Sequence, residues 1–135
     1  MYNTIEEIMI VCVDRRMNIL ALMKDSLEII KKRKSIRTFD TSKTVDAEIR
    51  SKLETCIEEN GLGTFGNKVC FSLLDLDSLN QSELRRLGTY GIIRGARLYL
   101  LGAVIDKEGS MEDLGFCMES VLLEACSMEL GTCWM

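Results

Sequence analysis

The chain has 135 residues, of which 47% are hydrophobic and 28% charged, and a net charge of −4. These totals suit one modest globular domain and exclude a protein built as a whole to wrap nucleic acid; no apolar run reaches membrane-spanning length. The six cysteines include no C-x-x-C pair and histidine is absent, so no metal site is expected and the commonest general base is missing.

Residues 1–22 receive no element. "IEEIMIVCV" is apolar, but it stops at Asp14-Arg15-Arg16 and lacks the basic start of a signal peptide. The stretch is set apart as an N-terminal extension, with 23–135 as the domain proper. Asp25-Ser26 with Glu28 opens a helix whose apolar side is Leu27, Ile29 and Ile30. A second helix is expected over 45–59, from the spacing of Ile49, Leu53, Cys56 and Ile57.

Next comes "ENGLGTFGN", a literal G-x-G-x-x-G at Gly61, Gly63 and Gly66. A dinucleotide loop must follow a strand and open a helix, because the phosphate sits on the helix N-terminus. Here a helix precedes the glycines and the strand-like "KVCFSLLDL" follows them. The order is inverted, so the stretch reads as a chain reversal, with Gly61 in the left-handed position that ends a helix. A strand is expected over 69–76, then a short helix in "NQSELRRLG" with Ser82 as cap, and a glycine-punctuated stretch around Tyr90. "RLYLLGAV" reads as a buried strand. Ser110 with Asp113 opens the longest helix, 111–129, with Leu114, Cys117, Met118, Val121, Leu122 and Ala125 as its core stripe and Gly131 at its end. "GTCWM" reads as the start of a buried strand. Free thiols on such apolar faces fit a reducing, cytoplasmic setting. Glu119 falls off the stripe, placed either in solvent or across a dimer.

"KKRKSIRTF" carries five positive charges between Lys31 and Arg37. In an extended chain Arg33, Ser35 and Arg37 share a face and Ile36 takes the other. Two guanidiniums and a hydroxyl form a socket for a phosphate monoester. The plainer alternative is a set of cations complementing a helix C-terminus.

"EIIKKRKSIRTFDTSKTV" resembles the N-terminal signature of FMN-dependent nitroreductases, in which a helix runs into R-x-S-x-R-x-F/Y. "LGFCMESVLLEACSMELGTCWM" is similar to that family's central helix, which ends in "LGLGTCW", and "LGTYGIIRGARLYLLGAV" resembles the preceding strand in a divergent branch. The resemblance covers about 25–135. It implies an α+β fold, a nitroreductase-like α/β sandwich with a central, mostly antiparallel sheet flanked by helices. Because family members run on well past Trp134, it also implies an incomplete domain, with 23–135 as its N-terminal part.

The resemblance further implies a homodimer that binds FMN at the subunit interface. NAD(P)H would donate hydride through the flavin to a small-molecule electron acceptor, a nitroaromatic, quinone or similar compound. Neither nucleic acid nor a membrane is an expected partner. Carried over by position, Arg33, Lys34, Ser35 and Arg37 would contact the FMN phosphate and ribityl chain. Asn67 would stand near the flavin, although the Pro, Gln and Trp of the family's P-S-x-x-N-x-Q-P-W stretch are missing here. No side chain is assigned as catalytic. The alternative from another class is a non-catalytic α+β protein that binds a phosphate-bearing ligand through the basic segment.

Overall fold

The computed structural model describes residues 5–15, 26–80, 82 and 92–135, and for 5–15 the backbone alone. In chain order the elements are β1 (Ile5–Arg15), α1 (Ser26–Lys32), α2 (Ala47–Glu59), β2 (Val69–Asp75), a 3-10 turn (Leu76–Ser78), β3 (Leu98–Ile105), α3 (Ser110–Ser127) and β4 (Leu130–Trp134). The short helix expected around Ser82 and the stretch around Tyr90 fall on residues 81 and 83–91, outside the described residues.

The four strands form one sheet in the order β2-β3-β1-β4, and every neighbouring pair is antiparallel. Among the described residues this is an α+β architecture with a small antiparallel sheet and three helices, consistent with a nitroreductase-like fold. Residues 1–22, which carried no expected element, hold the strand between β3 and β4. β3 and β4 therefore run parallel to each other with β1 between them, and α3 makes the connection.

Alternation along β3 divides the core in two. Leu98, Leu100 and Val104 face the helices and join Leu53 and Cys56 of α2 and the stripe of α3 in the larger cluster. Tyr99 faces the other way and packs with Phe39 and Cys133, supported by Ile36, Leu74 and Ile93. The α3 stripe is the one its periodicity predicts: Leu114, Met118, Val121, Leu122 and Ala125 are fully buried. The helix lies close on the sheet at Gly102, where an added Cβ would stand 2.7 Å from Met118 Sδ and 3.1 Å from Leu114 Cδ1.

α2 begins where Asp46, in extended conformation, accepts a hydrogen bond from Ile49 N at 2.9 Å, satisfying one of the orphan donors of the first turn. Its end differs from expectation. Asn60 is the C-cap at φ −104°, and Gly61 is not among the glycines with positive φ. The Asn60 N–H and side-chain amide both donate to Cys56 O, so the amide does the work expected of a left-handed glycine. At the far end of α3 the left-handed residue is Glu129, φ 64°, and Gly131 lies inside β4. The helix therefore turns two residues earlier than a glycine-based reading places it.

Candidate functional site

α1 continues by one helical bond past its last residue, because Arg33 N donates to Ile29 O at 2.9 Å. The chain then extends. Ile36 N donates to Thr132 O and Phe39 N to Arg94 O, while Arg94 N donates to Arg37 O. Ser35 bridges Thr132 and Thr38 bridges Arg94, both in parallel sense. The basic segment is thus laid along the outer edge of β4 and held from both sides.

The expected alternation holds only in part. Ile36 packs into the smaller cluster and Ser35 and Arg37 are exposed, but Lys34 and Thr38, on the face of Ile36, are exposed as well, and Phe39, on the face of Ser35 and Arg37, is buried. Arg33 departs from it, because its backbone still belongs to the helical turn. Its side chain is only 20% exposed, and Nε lies 2.8 Å from Glu119 Oε1. The other carboxylate oxygen, Oε2, accepts a hydrogen bond from Trp134 Nε1 at 2.8 Å. Glu119 therefore has both oxygens engaged within the chain, contrary to its expected place in solvent or across a dimer. The three side chains join the end of α1, the middle of α3 and the end of β4.

Arg33 is not saturated by this arrangement. Its Nη1 is buried and has no hydrogen-bond partner. A buried donor left unpaired is costly, more so on a cation. An anion reaching it would receive a charge-assisted hydrogen bond, with Lys34, Ser35 and Arg37 exposed close by on the same segment. This is the chemistry that the phosphate of FMN requires, and the residues present fit it.

Asn67 occupies a different place. Residues 63–67 form the reversal between α2 and β2, closed by bonds from Gly63 N to Asn67 O and from Gly66 N to Gly63 O. The turn is wrapped around the carboxylate of Asp113, in the first turn of α3. Oδ1 accepts from Phe65 N at 2.9 Å and from Thr64 Oγ1 at 3.4 Å. Oδ2 accepts from Asn67 N at 2.9 Å and Asn67 Nδ2 at 3.0 Å. The Asn67 amide also donates to Glu108 O at 3.0 Å. A Cβ at Gly63 would overlap the Asp113 carboxylate, which is the physical reason for a glycine there. The G-x-G-x-x-G stretch is thus a nest for a carboxylate of the protein itself.

Asp113 is fully buried. Burial pushes its pKa up, but the hydrogen bonds from Phe65, Asn67 and Thr64 outweigh that and hold it below the ordinary 3.8. The sequence pattern places Asp113 with Ser110 at the start of their own helix. Instead the residue preceding Ser110 is Gly109 at φ 71°, with no side-chain cap, and Asp113 reaches across the chain. Asn67 and Arg33 are not brought together: they are bound to Asp113 and Glu119, which stand six residues apart on α3, about 9 Å along the axis.

A family model described as "Putative TM nitroreductase" matches residues 25–135. Neither a curated protein nor a solved structure matches the chain. The family supports a general oxidoreductase role, and the R-x-S-x-R-x-F segment, the long central helix and the buried Gly-Thr-Cys-Trp strand all lie inside the matched span. The chain belongs to this nitroreductase family.

Proposed function

We propose that the chain is an FMN-dependent oxidoreductase that uses NAD(P)H to reduce a nitroaromatic, a quinone or a similar acceptor. The observation that carries this reading is the buried, unpaired Nη1 of Arg33, on the same stretch of chain as the exposed Lys34, Ser35 and Arg37. FMN, when bound, supplies the hydride chemistry. The residues of the chain bind and orient it: Arg33 and Arg37 hold the phosphate, Ser35 adds a hydroxyl donor, and Lys34 adds positive potential. Glu119 and Trp134 fix the Arg33 guanidinium so that one edge is left for the ligand. Asn67 acts from the neighbouring turn, by stiffening the backbone that passes beside the flavin.

A homodimer belongs to the same proposal. Leu62 and Phe65 on the turn and Phe116 on α3 are 67%, 66% and 55% exposed. Large apolar side chains presented in this way favour a protein–protein or ligand-covering surface.

The test compares FMN with riboflavin, which lacks the phosphate, by fluorescence titration of the purified chain. The expected result is tighter binding of FMN by at least tenfold, the equivalent of about 1.4 kcal/mol. Equal affinities would contradict the assigned phosphate socket. Binding of inorganic phosphate without any flavin binding would favour a non-catalytic phosphate-binding protein instead.

A further inference from the structure

The register of β1 against β4 pairs Cys12 with Cys133, and that of β1 against β3 pairs Cys12 with Tyr99. Directly opposed residues of an antiparallel pair have Cα atoms about 4.5 or 5.5 Å apart, according to whether the pair is hydrogen-bonded. Both spacings fall inside the range of about 4.4–6.8 Å that a disulfide spans. Cys133 is buried in the smaller core cluster. It carries a free thiol whose Sγ lies 3.4 Å from Trp134 O. Cys12 lies outside the span of the family match, which begins at residue 25, so the pairing belongs to the added strand.

We propose that Cys12 and Cys133 form a reversible disulfide that fastens β1 into the sheet. The oxidant is a low-molecular-weight disulfide such as oxidised glutathione. The Cys12 thiolate attacks it, forming a mixed disulfide and releasing one glutathione thiolate. The Cys133 thiolate then attacks the Cys12 sulfur of the mixed disulfide and releases the second. The two protein thiol protons end on the two glutathione molecules released, so two thiols are oxidised and one disulfide is reduced. The burial of Cys133 requires the sheet to open locally for the second exchange, in which the Cys133 thiolate attacks. Reclosure of the register then opposes the two sulfur-bearing residues. A tie that closes nearly the whole chain into one loop stabilises chiefly by restricting the unfolded state.

The full chain, first reduced, is equilibrated across a series of oxidised-to-reduced glutathione ratios and quenched with iodoacetamide. The linkage is then assigned by fragmentation mass spectrometry of unreduced peptides. The expected result is a Cys12–Cys133 link within a monomeric chain, lost on adding dithiothreitol, and a higher unfolding midpoint in the oxidised form. Cys12→Ser removes both effects, and Cys70→Ser, at an exposed position of β2, removes neither. Alkylated or singly glutathionylated Cys12 and Cys133 throughout the series would overturn the proposal. So would linkage of either to another cysteine or to a second chain. The mapping of the wild-type chain stands on its own if Cys12→Ser fails to fold.

Discussion

Asp113 and Glu119 show how a carboxylate that looks ordinary in the sequence becomes a junction in three dimensions. Glu119 was legible only as a polar position off the α3 stripe, because its partners are an arginine and a tryptophan far away in the chain. Asp113 was legible as an acidic residue in a first helical turn, a favourable place beside the helix dipole. Its partners, however, are the backbone N–H groups of Phe65 and Asn67, and a backbone donor leaves no mark in the residue pattern. The glycine at 63 was the visible half of that contact, read correctly as a reversal but with its occupant hidden.

The depressed pKa of Asp113 fixes a sign. A carboxylate more acidic in the folded state stabilises the protein fully above its unfolded pKa, and that stability is lost as pH falls through the folded value. The wild-type chain is expected to lose unfolding midpoint steeply below about pH 4. Asp113→Asn is expected to be less stable at neutral pH and to have a flatter acid limb, because it has no charge to lose. Urea melts between about pH 3 and 7 measure this, and parallel curves for the two proteins would remove Asp113 from the acid response.

At the scale of elements, most of the fold was readable. The apolar run "RLYLLGAV" places β3, while the spacing Ile49, Leu53, Cys56, Ile57 and the stripe of α3 place α2 and the centre of the core. The last two are periodic signals that local geometry imposes. The ends were less readable, since Asn60 and Glu129 perform terminations that glycine usually provides. Two substitutions separate the contributions within α2. Asp46→Ala removes the cap bond to Ile49 N and is expected to cost about 1 kcal/mol. Leu53→Ala, at a position with no exposure, is expected to cost about 2–5 kcal/mol through lost burial and the cavity left behind. Equilibrium urea unfolding reads both. A Leu53→Ala loss no larger than that of Asp46→Ala would mean that α2 is held by its own helical propensity and not by the core.

At the scale of the whole molecule, the least legible feature is the position of β1. "IEEIMIVCV" alternates poorly, and its pairing depends entirely on residues about a hundred positions away, which no local pattern encodes. The consequence is large, because β1 pairs on both sides, with seven register partners in β3 and five in β4. Deletion of residues 1–24 is expected to broaden thermal unfolding and expose core surface to a hydrophobic dye. A deletion variant that melts cooperatively at the wild-type midpoint would show that the family-matched span closes its sheet without β1.

The central claim is that the Arg33 edge left by Glu119 and Trp134 receives a flavin phosphate, and the dissociation constant of FMN for Arg33→Ala against the wild-type chain tests it most directly. A charge-assisted hydrogen bond to a phosphate contributes about 1.5–3 kcal/mol, so the variant is predicted to bind FMN about 10- to 150-fold more weakly. Its riboflavin affinity is predicted to change little, with circular dichroism confirming that it is folded. A folded Arg33→Ala chain that holds FMN as tightly as the wild type would contradict the account.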